Sequence, residues 1–212
     1  MNPQQLEKTL QSYTPPNTAK KLAEWIVQYK VSVKLTRERK SKLGDYRPPH
    51  GRYGHRISVN HNLNPYQFLI TFVHEMAHLV TWERYQNKVS PHGKEWKNTY
   101  KKMLGLFVGK DIFPPEVEEG VKQHLASPAA SSCRDEQLYK LLKNYDVNPS
   151  GNAGKWLYLE EIPQNTLFKM EDGRMFRKGQ KLRKYYRCVD VENQRLYRIS
   201  GIAMVRPLIE RQ

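Results

Sequence analysis

An apolar stretch between Pro65 and Trp82 constrains the fold of this chain more than any other feature. Its only charged residue is Glu75, and aliphatic and aromatic side chains recur so densely that they would cover most faces of a helix. The stretch therefore predicts a helix buried in the core. A lone carboxylate on such a helix costs several kcal/mol unless a positive group faces it, so Glu75 requires a cationic partner.

The same stretch contains a His-Glu-x-x-His pattern formed by His74, Glu75 and His78. Two histidines four residues apart leave the same face of a helix, so both imidazoles can bind one metal ion. Zinc suits two neutral imidazoles, and a third ligand with one water would complete a tetrahedron with an open position. Glu75 is then placed to accept a proton from that water. The pattern predicts a zinc hydrolase centre; the alternative is a core helix whose histidines bind backbone carbonyls.

Four side chains are candidates for the third ligand. His92 is favoured because the Ser-Pro pair before it predicts a helix N-cap and a first helical residue, which would place His92 in a rigid first turn. Glu95 lies one turn further on and is equally well explained as a capping carboxylate. His61 and His55 flank a predicted strand and are less well placed.

The segment His-Glu-Met-Ala-His, followed after twelve residues by Pro-His-Gly-Lys-Glu-Trp, resembles the SprT-like metalloproteases, which include the eukaryotic Spartan proteases. The resemblance extends from about Lys20 to Gly109. It implies that His74, His78 and His92 bind one zinc ion per chain and that Glu75 is the catalytic residue.

The resemblance also implies a fold and a function. It indicates an α+β, zincin-like metalloprotease domain built around the His-Glu-x-x-His helix, acting as a zinc-dependent endopeptidase on protein or peptide substrates. The eukaryotic branch of the family implies action on DNA-associated proteins. Two alternatives stay open, namely a general quality-control metallopeptidase without DNA dependence and a non-catalytic, zinc-containing DNA-binding protein.

Positive charge is abundant in the chain and concentrated in two clusters. The formal net charge is +15, with nine Lys or Arg residues from Lys30 to Arg56 and seven from Arg174 to Arg187. In the second cluster, alternate residues predict one strand face that carries an exposed tyrosine, which suits a single-stranded or damaged DNA partner. The alternative is an edge strand protected by charge. The residues predicted to contact DNA are Lys181, Arg183, Tyr185, Arg187, Arg37, Arg39 and Lys40.

Turn signals and composition divide the chain into three parts. Residues 1–126 are predicted to form the metallopeptidase domain, with helices at 4–12, 18–29 and 114–125 and paired strands at 31–36 and 57–59. Residues 127–154 are predicted to be a linker with a short helix at 135–145. Residues 155–212 are predicted to form a small basic β domain, either SH3-like or a ribbon without zinc.

Cysteine content limits what the last part can be. Many bacterial SprT-like proteins end in a zinc ribbon with two cysteine pairs, but this chain has only Cys133 and Cys188. A disulfide framework is therefore excluded, a second zinc site is not expected, and Cys188 is predicted to be a small buried residue. No membrane-spanning stretch and no signal sequence are expected, which together with the two cysteines predicts a cytoplasmic protein. The sequence does not indicate an oligomeric state.

Overall fold

The computed structural model of the chain describes residues 2–39, 42–126, 128, 135–146 and 156–208. The chain divides into two compact units, Met1–Pro149 and Ser150–Gln212. The first unit is a mixed α+β structure and the second is an all-β sheet, as the sequence predicts at this coarse level. Lys40, one of the predicted DNA contacts, lies outside the described residues, as do Cys133 and most of the predicted linker.

Six α-helices, one short 3-10 helix (Gln86–Lys88) and three strands make up the described part of the first unit. The helices are α1 (Pro3–Gln11), α2 (Ala19–Gln28), α3 (Pro65–Tyr85), α4 (Lys94–Gly105), α5 (Pro115–Ala126) and α6 (Glu136–Lys143). The strands are β1 (Ser32–Thr36), β2 (Gly44–Arg47) and β3 (Arg56–Asn60). The four helices predicted at 4–12, 18–29, 114–125 and 135–145 are confirmed to within two residues at each end.

The sheet of the first unit has the strand order β1-β3-β2. Pairing of β1 with β3 is confirmed, and the two strands are parallel. The short strand β2, which the sequence analysis did not predict, pairs antiparallel with β3 and leaves its other side at the edge of the sheet. This edge strand packs against α3, so the sheet ends beside the His-Glu-x-x-His helix.

Helix α3 is the centre of the first unit, as the apolar stretch predicts. The Asn64 side chain caps its first turn by accepting a hydrogen bond from the Gln67 backbone N–H at 3.0 Å, and Pro65 occupies the first helical position. The helix ends before Gln86, whose backbone has φ of 54°. Between these ends most side chains are buried, including Phe68, Phe72 and Met76 with no exposed surface.

Helix α6 belongs to the core of the first unit, although the sequence analysis placed it in a linker. Leu138 and Leu142 are buried in the same hydrophobic cluster as α3. Asp135 caps α6 by accepting from the Leu138 backbone N–H at 3.2 Å and also accepts a hydrogen bond from buried His124 on α5. The apolar face of a short helix is buried here because α5 packs against it.

The second unit is an antiparallel sheet with a core of its own. Its strands are β4 (Leu157–Tyr158), β5 (Leu167–Lys169), β6 (Met175–Leu182), β7 (Tyr185–Asp190), β8 (Leu196–Ser200) and β9 (Met204–Pro207), in the order β4-β9-β5-β6-β7-β8. The buried side chains of this core are Leu159, Ile162, Phe168, Phe176, Tyr186, Cys188, Ile199 and Val205. The prediction that Cys188 is buried is confirmed.

In the described part of the chain, no helix is long and apolar enough to cross a membrane.

Candidate metal centre

Three imidazoles meet at one point beside α3. The Nε2 atoms of His74 and His78 are 3.2 Å apart, and the Nε2 atom of His92 lies 3.2 Å from the first and 2.9 Å from the second. In a tetrahedron with Zn–N bonds of about 2.0–2.1 Å, ligand atoms are about 3.3 Å apart. This donor set therefore fits a zinc ion, and it is the only such group of metal-binding side chains among the described residues.

His92 reaches this point from a turn and not from a helix. Helix α4 begins at Lys94 with Gly93 as its N-cap, so the prediction that His92 lies in the first helical turn is wrong. The Gly93 N–H donates to the Ser90 carbonyl at 2.9 Å, and His92 has φ of 59°. Proline at the second position of a turn and positive φ at the third are typical of type II turns, so Pro91 starts a turn here.

The other candidates for the third ligand lie elsewhere. His55 hydrogen-bonds through Nδ1 with the Tyr46 hydroxyl at 2.9 Å and donates from Nε2 to Glu83 at 2.9 Å. His61 Nδ1 donates to a backbone carbonyl at 3.0 Å. Glu95 lies in the first turn of α4, outside the three-histidine group.

Trp96 packs against all three imidazoles. Its ring centroid lies 4.6 Å from that of His74, 5.2 Å from that of His78 and 4.7 Å from that of His92, and the side chain is fully buried. Tyr100, one turn later on α4, stacks on Trp96 at 4.9 Å. Since α4 contributes both rings, the helix that follows the third histidine also forms the wall behind the metal position.

Burial keeps the histidines in the form that binds metals. Desolvation, reinforced by the neighbouring imidazoles, lowers the pKa of His74 to about 2. Desolvation and the charge of His92 lower the pKa of His78 to about 3. Both imidazoles are therefore neutral at physiological pH, and neutral imidazole is the metal-ligating form.

The carboxylate of Glu75 lies beneath the edge strand β2. The side chain is 7% exposed, and the backbone N–H of Tyr46 donates a hydrogen bond to it. Gly44 permits this approach, because a Cβ atom at that position would lie 2.6 Å from Glu75 Oε1 and 2.8 Å from Thr71 Cγ2. Sequence reasoning missed Gly44 and Tyr46, because the strand that carries them has no alternating apolar pattern.

Burial also acts on the Glu75 carboxyl group. Its pKa is raised to about 8, mainly by desolvation and also by the charge of Asp45, while the Tyr46 N–H and the charges of Arg39 and Lys42 partly oppose this shift. The isolated site thus favours the protonated form, and a cation beside the carboxyl group would favour the ionised form. This agrees with the sequence argument that Glu75 requires a cationic partner.

Tyr46 connects β2 to the metal ligands. Its ring lies parallel to the imidazole of His78, with centroids 6.5 Å apart and an interplanar angle of 3°. Its hydroxyl is held by His55, which in turn donates to Glu83 near the C-terminal end of α3. His55 was considered above as a possible metal ligand. Its role in the structure is to hold the Tyr46 ring, which lies over the imidazole of His78.

The predicted basic face of the second unit is not one strand. Lys181 lies near the end of β6 and Arg183 lies in the following turn with φ of 52°. Tyr185 and Arg187 lie in β7. Lys181 pairs with Tyr186 and shares the face of that residue, so Tyr185 and Arg187 point to the opposite face. The interpretation as a single strand face is wrong, and DNA contact by these exposed side chains stays a prediction.

The first basic cluster is partly engaged within the fold. Arg39 donates from Nε to Asn60 Oδ1 at 2.8 Å and from Nη1 to Ser58 Oγ at 3.0 Å, so its guanidinium is bound to β3. Arg37 is exposed. Contact of either residue with DNA stays a prediction.

Taken together, a helix with the His-Glu-x-x-His pattern, a third histidine at the same point and a buried carboxylate define a candidate metal centre. The SprT-like family model matches residues 17–118, so the chain contains a SprT-like domain over these residues.

Individual relatives match over shorter stretches. The chain is 52% identical over 33 residues to Protein SprT of Erwinia tasmaniensis, covering 16% of this chain and 19% of the relative. It is 43% identical over 44 residues to Protein SprT of Vibrio parahaemolyticus, covering 20% and 26%. The match thus spans about a fifth to a quarter of the length of these curated relatives. No solved structure is similar enough to count as a match.

Proposed function

We propose that this chain is a zinc-dependent metalloendopeptidase of the SprT-like type with a zincin-like catalytic domain. The convergence of three histidine Nε2 atoms within 3.2 Å of one another carries the proposal. The SprT-like domain match over residues 17–118 and a buried carboxylate next to the first ligand support it.

His74, His78 and His92 would hold the zinc ion through Nε2. When bound, zinc lowers the pKa of a coordinated water to about 7 and polarises a carbonyl oxygen. Trp96 fixes the three rings by contact, and Tyr46 covers the ring of His78. Such contacts preorganise the ligands, so that little reorganisation accompanies substrate binding.

Glu75 is the acid–base residue in this proposal. Its carboxylate accepts the proton of the attacking water and then delivers a proton to the amine that leaves as the peptide bond breaks. The Tyr46 N–H orients the carboxylate, and burial excludes solvent that would compete for it. Because the side chain of Glu75 is constrained on α3 and beneath β2, its position depends on both elements.

The replacement Glu75→Gln tests this role. The variant should keep its fold and one zinc ion per chain, and it should lose cleavage of an unfolded substrate such as casein by several orders of magnitude, since an amide cannot accept the proton. Metal analysis and a cleavage assay on the zinc-loaded proteins measure both properties. Activity within about tenfold of the wild type would exclude Glu75 as the general base.

The proposed substrates are proteins associated with DNA. The net charge of +15 and the exposed basic residues in the second unit support this choice, because they favour binding to a polyanion. Cleavage by the zinc-loaded chain, measured with and without single-stranded DNA, tests it. Faster cleavage with DNA supports the proposal. Cleavage that is indifferent to DNA favours general quality control, and DNA binding without any cleavage favours a binding protein.

A further inference from the structure

The outer face of the second sheet contains positively charged residues placed directly opposite one another. Lys169 on β5 is the cross-strand partner of Arg206 on β9, and Arg187 on β7 is the partner of Arg198 on β8. All four side chains are exposed. Directly opposite residues on paired strands lie about 4.5–5.5 Å apart, and like charges in this relation destabilise a sheet.

Among the described acidic side chains of the second unit, none forms an ion pair with either of these charge pairs. Asp172 pairs with Arg174 in a turn, and Asp190 is buried and accepts backbone N–H groups. The fold therefore retains two unfavourable charge pairs, and such departures from local stability rules are typical of functional surfaces.

The one buried cation of the described sheet, unlike the exposed ones, has hydrogen-bond partners within the fold. Lys178 is 4% exposed, donates from Nζ to the carbonyls of Ile162 and Glu160, and lies 4.2 Å from the ring centroid of Tyr186. The inner cation is thus fully partnered within the fold. The outer cations present their donors to solvent, where an external anion can reach them.

Other exposed side chains on the same face narrow the choice of anion. Tyr185 is 49% exposed and lies two residues before Arg187 on β7, so the two side chains are neighbours on this face. Arg177, opposite Val189, is diagonal to Arg187 and adds a fourth guanidinium to the face, although its Nη1 also donates to the Asn165 carbonyl at 3.2 Å. Arginine binds phosphate oxygens with paired N–H donors, and an exposed aromatic ring stacks on an unpaired base.

We propose that this face, defined by Lys169, Arg177, Tyr185, Arg187, Arg198 and Arg206, binds single-stranded nucleic acid. An acidic polypeptide would satisfy the charges but would leave the exposed ring without a stacking partner. The inference deepens the proposed association with DNA, yet it does not require peptidase activity, because binding and cleavage are measured separately. The sequence predicted a binding face on one β-strand. The surface proposed here instead crosses five β-strands of the sheet.

The decisive variants remove the same number of charges from different places. Arg187→Gln with Arg198→Gln should weaken binding of the full-length chain to a labelled oligothymidylate by about tenfold or more at 0.1 M salt and flatten the plot of log affinity against log salt by about 1.4 units. The control, Lys8→Gln with Lys20→Gln, removes two exposed charges from the first unit, at residues with no predicted contact to DNA. It should change affinity and slope by much less.

Two further measurements distinguish binding at this surface from a nonspecific effect of net charge. The Arg187→Gln, Arg198→Gln variant should melt at the wild-type temperature or above, because it relieves a like-charge pair, so its weaker binding cannot come from unfolding. Tyr185→Ala should weaken binding about fivefold or more without changing the salt slope, and Tyr185→Phe should restore it, since stacking needs the ring and not the hydroxyl.

Three results would overturn the inference. Wild-type affinity and slope in the Arg187→Gln, Arg198→Gln variant would show that the face does not contact the strand. An equal loss in the control variant would show that only net charge matters. Equally tight binding of polyglutamate or of anionic lipid vesicles, with the same dependence on Tyr185, would show that the occupant is not a nucleic acid.

Discussion

The position of the third histidine depends on one backbone angle. His92 has φ of 59° at the third position of a turn that is closed by the Gly93 N–H. Non-glycine residues adopt this conformation only where the surrounding structure holds them in it. Trp96 supplies that constraint, because its buried ring contacts His92 together with the two helix histidines.

Replacement of the third ligand tests the metal assignment at the scale of one residue. His92→Ala should lose most of its zinc at neutral pH, because two imidazoles alone hold zinc weakly. Metal analysis of the purified protein measures this. Glu95→Ala and His61→Ala are matched controls, since both residues lie outside the three-histidine group, and both should keep one zinc per chain. Stoichiometric zinc in His92→Ala would contradict the assignment.

Most side chains of the candidate site could be predicted from the sequence, but their backbone setting could not. The spacing of His74 and His78 follows from helical geometry, so it can be read directly from the pattern. The turn at His92 was missed because proline suits both a first helical position and the second position of a turn. Local sequence does not decide between them; the tertiary contact with Trp96 does.

At the scale of elements, the edge strand β2 is short, yet it covers Glu75 and carries the Tyr46 ring beside His78. It has four residues, and two of them, Gly44 and Asp45, are of types depleted in strands. Pairing with β3 and packing on α3 hold it in place, and both are long-range interactions that a short sequence window does not contain. For this reason the strand could not be predicted, although it covers Glu75.

Gly44→Ala tests whether β2 sets the position of the Glu75 carboxylate, the proposed general base. The added methyl group would meet Glu75 Oε1 at 2.6 Å, so either the carboxylate or the strand must move, and cleavage should fall by about tenfold or more, as expected when a catalytic group is displaced by about 1 Å. Zinc content should stay at one per chain. Steady-state cleavage and metal analysis measure the two effects.

Gly105→Ala is the matched control for this substitution. Gly105 ends α4, and an added Cβ there would meet no atom within 4 Å, so activity should be unchanged and stability slightly higher. Wild-type activity in Gly44→Ala would show that the strand relaxes without moving Glu75. The same loss in both variants would show that the effect is not specific to β2.

The hairpin of β6 and β7 shows a second limit of sequence patterns. A period of two across Lys181 to Arg187 is interrupted by a turn at Arg183 and Lys184, residues that carry no turn signal. Positive φ at Arg183 would normally indicate glycine or asparagine. Because the turn reverses the chain, the residues that a period of two assigns to one face lie on two opposite faces of the sheet.

At the scale of the whole molecule, the chain has two cores, and the described metal-binding group lies in the first. The sequence predicted two structured parts because composition and turn residues change between them. It did not predict that α6 belongs to the first core, because a single amphipathic helix does not specify its partner. That assignment depends on Leu138 and Leu142 meeting α5.

Zinc removal should therefore destabilise one unit and leave the other unchanged. A ligand that binds only the folded state stabilises it by about 4 kcal/mol when its free concentration is a thousand times Kd, and a chelator removes this contribution. Hydrogen exchange of the full-length chain, with and without chelator, measures the two cores separately. Amides of α3 and α4 should exchange faster after chelation, and those of β6 and β7 should not, since the second core contains no described metal-binding group.

His92→Ala should reproduce the chelated pattern without chelator. Equal loss of protection in both units would show that the second sheet depends on the metal, and unchanged protection in both would show that the three histidines contribute no metal-linked stability.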